Sequence, residues 1–322
     1  MIYLIDASVY VFRAYHSLPP DMVDRDGNPA HAVFGFARML GDLIERARPK
    51  YMAVAFDQRT VAKCFRNRLY PPYKAHRDPA PAGLQYQLGR CMELCRCLGV
   101  TALSSDEYEA DDIIGTLVTA FRRDGVRAMV ISRDKDLAQL IREGDAFWDF
   151  GTRNPYGYHD IHRHYGVAPE RFADYLALTG DTVDNIPGVP GIGPKTARML
   201  MQEFASLDEL YADLERVAAI KMRGADALGE RLRAHRESVY LARQLTTIAC
   251  DAPLNVVPDG VRRRPPNMDA LARFYDAQQF GPFLRKQAER LAQLPVELGA
   301  RAVETAAVKP AVIGPQLQRS LF

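Results

Sequence analysis

The sequence predicts an α/β protein with a mostly parallel central sheet flanked by helices, followed by a helical region. Three short apolar runs, at residues 2–5, 51–56 and 128–132, indicate buried strands, and segments of helical periodicity lie between them. Alternating strands and helices favour a parallel sheet whose functional groups gather at the carboxyl ends of the strands. Acidic residues follow all three runs, so we expect them at one edge of the sheet.

Composition limits the possible classes of protein. The 322 residues, 48% hydrophobic and 25% charged, are typical of a globular chain of one large or two modest domains. No apolar run approaches the length of a membrane span, and no basic segment of a signal peptide follows Met1. The five cysteines lack zinc-ligand spacing and suit a reduced compartment. We therefore expect a cytoplasmic monomer without membrane association.

The first two strands each end at an aspartate, and a basic segment follows the second. Asp6 and Asp57 hold these positions, although one such residue alone would usually be a helix cap. Between residues 59 and 77 there are six basic residues and no acidic one, and the prolines of 70–73 interrupt any regular helix. Charge runs are usually solvated surface. Insertion directly after a candidate metal ligand favours contact with a polyanion instead.

Two acidic blocks follow. Glu109, Asp111 and Asp112 open a helix whose apolar positions run from 113 to 121, and a third strand leads to Asp134 and Asp136. Helix capping and the helix dipole would each explain a single acid. Three acids within four residues repel one another, and a bound cation would offset that cost.

A glycine-rich turn links the acids to a helix that we expect to begin near Pro194. Asp181 and Asp184 precede the turn, whose glycines would let the backbone approach a ligand. Backbone N–H groups, a helix N-terminus and a lysine favour a phosphate, held without reading sequence. The candidate contacts are Gly188, Gly191, Gly193, Lys195 and Thr196. A tight hairpin with glycines for steric reasons alone is the alternative, but it leaves the acids and the lysine unexplained.

The segment GDTVDNIPGVPGIGPKTA, residues 180–197, closely resembles the helix–hairpin–helix of the 5′-nuclease (flap endonuclease) superfamily. Matching segments run from about residue 4 to 245, and the likeness is greatest to the 5′→3′ exonuclease domain of bacterial DNA polymerase I. It implies a PIN-like α/β core at residues 1–165 with a basic arch at about 58–80. A helical domain would span 166–290, with the helix–hairpin–helix at about 180–204. The Ala- and Pro-rich tail, 291–322, is predicted to be disordered.

The resemblance implies a two-metal site. Its ligands would be Asp6, Asp57, Glu109, Asp111, Asp112, Asp134, Asp136, Asp181 and Asp184. Oxygen ligands select Mg2+, for which Mn2+ can substitute, and a K+ ion at the hairpin is a further expectation. With these nine acids neutralised by metal, 42 basic residues face the 31 acidic residues that remain of 40. That balance suits a basic surface around an acidic pocket.

The resemblance also implies DNA contacts. Residues 73–77, YKAHR, are similar to the arch motif whose lysine and arginine contact the scissile phosphate. The implied contacts outside the hairpin are Arg13, Arg66, Tyr73, Lys74 and Arg77. Lys74 and Arg77 would act in catalysis beside the metal-binding Asp6, Asp134 and Asp181. Arg133 departs from the pattern, because relatives usually have glycine there.

The implied activity is that of a stand-alone, structure-selective 5′→3′ exonuclease and flap endonuclease in DNA replication or repair. Its substrates would be DNA with 5′ flaps, nicks or ends, with RNA primers as a further class. A non-catalytic DNA-junction binder and a PIN-type ribonuclease are the alternatives. The second lacks the hairpin, so residues 180–204 argue against it.

The last third of the chain carries weaker patterns. Lys221, Arg223, Arg231 and Arg233 favour either a second phosphate-tracking face or ordinary solvated helix. A linker at 262–266 and one more helix at 268–294 are predicted. Gln318, Leu321 and Phe322 resemble the peptide that binds the bacterial sliding clamp, apart from Arg319, where leucine is common. The alternative for these last residues is a frayed tail.

Overall fold

A six-stranded sheet forms the centre of the N-terminal half. The computed structural model describes residues 1–57, 64–152, 154–220, 225–254, 256 and 258–295. The strands are β1 (Ile2–Asp6), β2 (Tyr51–Asp57), β3 (Thr101–Ser105), β4 (Ala128–Ile131), β5 (Ala146–Trp148) and β6 (Tyr156–Gly157). Their order is β3-β2-β1-β4-β5-β6, and only the β5–β6 pairing is antiparallel among the described strands. The predicted mostly parallel sheet is confirmed.

The strand register brings the first acids to one edge. Asp6 pairs with Ala55 near the end of β2, and Ile5 pairs with Ile131 at the end of β4. Asp57 ends β2 beside Ser105 of β3. The acids that follow these parallel strands therefore share the carboxyl edge of the sheet, as predicted.

Helices cover both faces of this sheet. They are α1 (Ala7–Ser17), α2 (His31–Ala47), α3 (Phe65–Leu69), α4 (Ala82–Cys97), α5 (Ala110–Arg123) and α6 (Tyr158–Tyr165). Alternate residues of β1 point to opposite faces. Tyr3 and Ile5 join the core under α2 and α4, whereas Ile2 and Leu4 join the core under α5. The sheet is thus buried on both sides, which fixes the positions of the residues at its edge.

A second core belongs to the helical domain. Its helices are α7 (Phe172–Thr179), α8 (Pro194–Glu203), α9 (Leu207–Ala212), α10 (Leu214–Ala218), α11 (Ala225–Ala234) and α12 (Arg236–Thr246). Helix α8 begins at Pro194, as predicted, and buries Ala197, Leu200 and Met201. The hairpin between α7 and α8 is therefore held on both sides by buried helices.

The prediction of one helix over 268–294 is wrong. Two helices, α13 (Met268–Ala277) and α14 (Pro282–Ala292), occupy this stretch. Gln279 has a positive φ of 55°, and Pro282, which has no N–H, starts a new helix instead of continuing the first. Residues Leu271, Phe274, Leu284 and Leu291 pack into the core under α2 and α4. The stretch 166–290 thus contributes to two cores.

The predicted linker at 262–266 is attached to the N-terminal core and is not free. Arg263 is 1% exposed, its N–H donates to Lys50 O at 2.9 Å, and its Nε donates to Pro49 O at 3.2 Å. Residues 58–63 of the arch and 296–322 of the tail, with the candidate clamp peptide, lie outside the described residues. Within the described ranges, no helix combines the length and apolarity that crossing a bilayer needs.

Candidate active site at the carboxyl edge of the sheet

Asp6 lies at the centre of the acidic edge. It is 3% exposed; Oδ1 accepts a hydrogen bond from the Ser8 N–H at 3.1 Å and Oδ2 accepts one from Ser132 Oγ at 2.8 Å. Burial, with nearby Asp57 and Asp134, raises the pKa of Asp6 to about 7. Ser132 Oγ also accepts the Asp134 N–H at 2.9 Å, so this hydroxyl joins two acids. Ser132 did not stand out in the sequence, where a serine after a strand is an ordinary residue.

The first turn of α5 adds acids to the same edge. Asp57 Oδ1 accepts the Ala110 N–H at 2.8 Å, which ties the end of β2 to this turn. Asp111 follows Ala110, and its pKa is raised well above the usual range by burial and then by Asp134, Asp6 and Asp57. The neighbouring carboxylates therefore raise the cost of ionising Asp111, which is the environment that a cation relieves.

Asp134 caps a short 3-10 helix, Lys135–Leu140, and Asp136 lies in its first turn. Asp134 Oδ1 accepts the Asp136 N–H at 2.9 Å, so the predicted capping role is present. Burial and then Asp134 raise the pKa of Asp136 to about 8. Its Oδ1 is buried and accepts no hydrogen bond from the described residues, since Lys135 Nζ stands 3.7 Å away. Capping therefore explains Asp134 in part and leaves Asp136 without an explanation.

The helical domain delivers two further acids. Gly180, with φ of 72°, turns the chain after α7, and Asp181 pairs with Ile186. Asp181 Oδ1 accepts the Val183 N–H at 2.8 Å, while Oδ2 accepts Lys135 Nζ of the N-terminal core at 3.2 Å. The site therefore spans both cores.

Lys74 and Arg77 of the arch close the site on the remaining side. Lys74 Nζ donates to Glu109 Oε1 at 2.6 Å and lies 3.6 Å from Asp184 Oδ2. Arg77 pairs with Asp184 Oδ1. Burial favours the neutral form of Glu109, but Lys74 and Arg66 outweigh it and lower the pKa of Glu109 to about 2. The two predicted catalytic cations thus lie among the predicted metal ligands.

The structure corrects the predicted roles of Arg66 and Asp112. Asp112 is fully buried, and its two oxygens accept both terminal nitrogens of Arg66 at 2.7 Å each. They also accept the Glu109 and Ala249 N–H groups, at 3.0 and 2.8 Å. Asp112 has no lone pair left for a metal ion, and Arg66, 3% exposed, has no face left for DNA.

Tyr73 is also corrected. It is 2% exposed, and its hydroxyl lies 2.8 Å from Glu109 Oε2 and 3.2 Å from Asp184 Oδ2. A buried tyrosine between two carboxylates orients them and has no exposed ring for DNA. Its place in the YKAHR motif is therefore structural, beneath Lys74.

The three hairpin glycines differ in what they require. A Cβ at Gly188 would overlap the Thr179 carbonyl, so the steric alternative explains this glycine, and its predicted DNA contact stays a prediction. Gly191 is exposed and has φ of 78°. Gly193 has ordinary φ and no atom within 4 Å of a built Cβ, so neither packing nor strain explains it. Lys195 is exposed one residue into α8, and Thr196 beside it is partly buried.

Two arginines flank the loop that follows β5. Arg13 is exposed on α1, and a Cβ built at Gly151 would lie 3.0 Å from its Nη1. Arg133 Nε pairs with Asp149 Oδ2 at 3.2 Å. The arginine that replaces the usual glycine before Asp134 is thus directed to this loop and pairs there.

Eight of the nine predicted ligands fit a divalent metal site by chemistry. All offer carboxylate oxygen, which suits Mg2+ or Mn2+. A cation would satisfy the buried Asp136 Oδ1, which accepts no hydrogen bond from the described residues, and would offset the raised pKa values of Asp6 and Asp136. Among the described residues, no three side chains are already arranged as a metal site. Glu109 pairs here with Lys74, Asp181 with Lys135 and Asp184 with Arg77, so these cations neutralise three of the carboxylates.

Comparison with known proteins gives consistent matches along the chain. Residues 1–166 match the family model described as 5′-3′ exonuclease, N-terminal resolvase-like domain, and residues 167–269 match the 5′-3′ exonuclease, C-terminal SAM fold. A 5′-3′ exonuclease of Aquifex aeolicus is 32% identical over 270 residues, 84% of this chain and 89% of that protein. DNA polymerase I of Rhizobium leguminosarum is 36% identical over 315 residues, 96% of this chain. The chain spans only 30% of the length of that polymerase.

Solved structures share the fold. The 5′-exonuclease of T5, solved with bound divalent metal ions (zinc), superposes with a TM-score of 0.61 at 21% identity, over 91% of this chain and 98% of that one. Human GEN1 in complex with Holliday junction DNA gives 0.60 at 15% identity, over 90% and 71%. Because both domain models match in order and a relative is covered over 89% of its length, the chain belongs to the 5′-3′ exonuclease family, as the resemblance predicts.

Proposed function

We propose that this protein is a Mg2+-dependent, structure-selective 5′→3′ exonuclease and flap endonuclease that hydrolyses DNA phosphodiesters near single-strand/double-strand junctions. The observation that carries the proposal is the carboxylate cluster that both cores build. Within it, the buried Asp136 Oδ1 accepts no hydrogen bond from the described residues, and an open glycine turn lies beside the cluster. Proteins of similar fold have been solved in complex with DNA, among them human GEN1 and the catalytic core of Rad2, and these complexes support a DNA substrate.

Two ions would be held by separate sets of ligands. Asp6, Asp57, Glu109 and Asp111 would bind the first, and Asp134, Asp136, Asp181 and Asp184 the second. Bound ions stabilise the negative charge on the attacking and leaving oxygens of an in-line displacement. Ser132 fixes Asp6 relative to Asp134, and Tyr73 fixes Glu109 relative to Asp184. Lys74 and Arg77 stabilise negative charge at the transferring phosphate.

The proposed function is tested by incubating the protein with end-labelled flap, nicked and blunt DNA duplexes, in Mg2+ and in EDTA. Mg2+-dependent cleavage near the junction of the flap is the expected result. Binding without cleavage would favour the alternative of a non-catalytic junction binder. The PIN-type ribonuclease is set aside, because residues 167–269 match the exonuclease C-terminal fold.

The finer expectations stay predictions. RNA primers as substrates, K+ at the hairpin, the monomeric state and a role in replication or repair rest on the resemblance. Binding of the sliding clamp through Gln318, Leu321 and Phe322 rests on residues outside those that the structure describes.

Lys74→Ala should slow single-turnover cleavage about a hundredfold, roughly 3 kcal/mol, and change duplex affinity much less. The reason is that Lys74 lies among the carboxylates, 21% exposed, where a charge acts on the transition state. Glu109 keeps Arg66 and Tyr73 as partners, so the fold should survive. Arg68→Ala is the control, because Arg68 belongs to the same basic segment but pairs with Glu107. Equal losses in rate and affinity would make the arch a docking surface only.

Gly193→Val should weaken binding of a long duplex about tenfold or more, because a side chain there keeps a phosphate from the backbone N–H groups. Gly191 is a poorer test, since its positive φ would strain any side chain. Gly281→Val is a matched control: Gly281, like Gly193, precedes a helix with proline at its first position and has open space around its Cβ. Unchanged affinity in a folded Gly193→Val protein would remove the hairpin from DNA binding.

A further inference from the structure

Arg231 of α11 lies directly over the hairpin turn. A Cβ built at Gly191 would overlap Arg231 Nη1, so the guanidinium fills the space that the missing side chain leaves. The absence of a side chain at Gly191 therefore leaves room for a cation from a third helix. The exposed turn thus has an arginine against Gly191 and the open Gly193 two residues further along the chain.

The charge on Arg231 has no carboxylate partner within the described residues. Its only hydrogen bond there runs from Nε to the Ala227 carbonyl of its own helix, at 3.3 Å. Arg233, two residues along the same helix, pairs with Glu230, and Arg243 of α12 pairs with Asp174 and Asp208. The structure thus separates Arg231 from Arg233, which the sequence leaves equivalent, whereas Lys221 and Arg223 lie outside the described residues. Arg231 keeps both terminal nitrogens for a ligand.

The surroundings of Arg231 select an anion. Lys195 is exposed on the first turn of α8, and the N–H groups at the start of that helix carry partial positive charge. A guanidinium presents paired donors that match the geometry of two phosphate oxygens. The N–H groups of the turn and of the start of α8 favour a phosphate, and a guanidinium beside them would contact the same phosphodiester backbone.

We propose that Arg231 contacts a phosphodiester of the DNA duplex and, with the Gly191–Lys195 turn, extends the phosphate-binding surface from the hairpin onto α11. This inference rests on the proposed function, since it assigns a further residue to the duplex-binding surface of the same enzyme. The contact contributes to affinity and to the placement of the duplex, and it is independent of sequence.

The test is the salt dependence of binding to a long DNA duplex, measured by fluorescence anisotropy in EDTA at several KCl concentrations. Log K falls as log salt rises, and each phosphate contact that is lost lowers the magnitude of that negative slope by about 0.9. Arg231→Ala should make the slope less steep by about that amount and weaken binding several-fold. Arg231→Lys should restore the slope. Arg233→Ala is the matched control from the same helix, and its slope should equal that of the wild type.

A slope for Arg231→Ala equal to that of the wild type would overturn the inference, as would equal losses for the Arg231 and Arg233 variants. Thermal unfolding checks the fold, and Arg231→Gln replaces Arg231→Ala if the shorter side chain destabilises α11. Cleavage of a labelled flap by the wild-type protein in Mg2+ is measured in parallel with the binding experiments. Absence of cleavage would contradict the proposed function, whereas cleavage with unchanged Arg231→Ala slopes would contradict this inference alone.

Discussion

Asp134→Asn is expected to reduce cleavage of a 5′-flap DNA in Mg2+ by at least about a hundredfold while junction binding is retained or improved. A carboxylate that holds metal contributes nothing attractive to the DNA backbone, so removing its charge should not weaken binding. Asparagine keeps the cap of the 3-10 helix, because its carbonyl can still accept the Asp136 N–H, now 2.9 Å from Asp134 Oδ1. The loss of activity should therefore occur in a folded protein.

The measurements are the single-turnover rate in Mg2+ and the junction affinity in EDTA. Asp149→Asn provides the control, because Asp149 is a nearby acid that pairs with Arg133 and lies outside the predicted ligand set. Asp181→Asn should behave like Asp134→Asn, because both side chains would bind the same proposed ion, although Asp181 comes from the other core. Near-normal cleavage by either variant would contradict the two-metal assignment.

The sheet edge was predictable from the sequence because burial and acidic residues coincide there. Strands β1, β2 and β4 are almost wholly buried, so each appears as an apolar run that an acid follows. Strand β3 is only half-buried along its whole length, and β5 and β6 have three and two residues. Such strands are defined by their neighbours and not by a pattern of their own. The boundary between the two helices at the C-terminal end was missed, although a glycine followed by proline, as at 281–282, is a known signal for the start of a new helix.

Individual roles within the site were harder to predict, because they depend on contacts between distant parts of the chain. Gly188 and Gly193 are alike in sequence, yet one packs against Thr179 and the other faces open space. The acids of 109–112 also look alike. Burial beside Arg66 separates Asp112 from the others, and that arginine lies 46 residues earlier. A family resemblance predicts which type of residue lies at each position of the site, but it does not show which carboxylate already has a partner.

The Arg66–Asp112 pair shows how a residue of the basic segment can be structural. Arg66 Nε and Nη2 also donate to the Leu245 and Thr247 carbonyls, at 2.8 and 3.0 Å. One side chain therefore joins the base of the arch, the first turn of α5 and the end of α12. Glu109 lies 3.3 Å from Arg66 Nη1, so the same pair also positions a predicted metal ligand.

Arg66→Met should lower the free energy of unfolding by about 3–5 kcal/mol, because it leaves the carboxylate of Asp112 buried without its counter-ion. The measurement is urea denaturation of Arg66→Met, Asp112→Leu and the double variant. Replacing both charges by apolar side chains removes the unpaired ion, so the double variant should be more stable than the sum of the single losses predicts. A surface DNA contact would give the opposite pattern, with unchanged stability and weaker duplex binding, and that outcome would restore the role that the resemblance implies for Arg66.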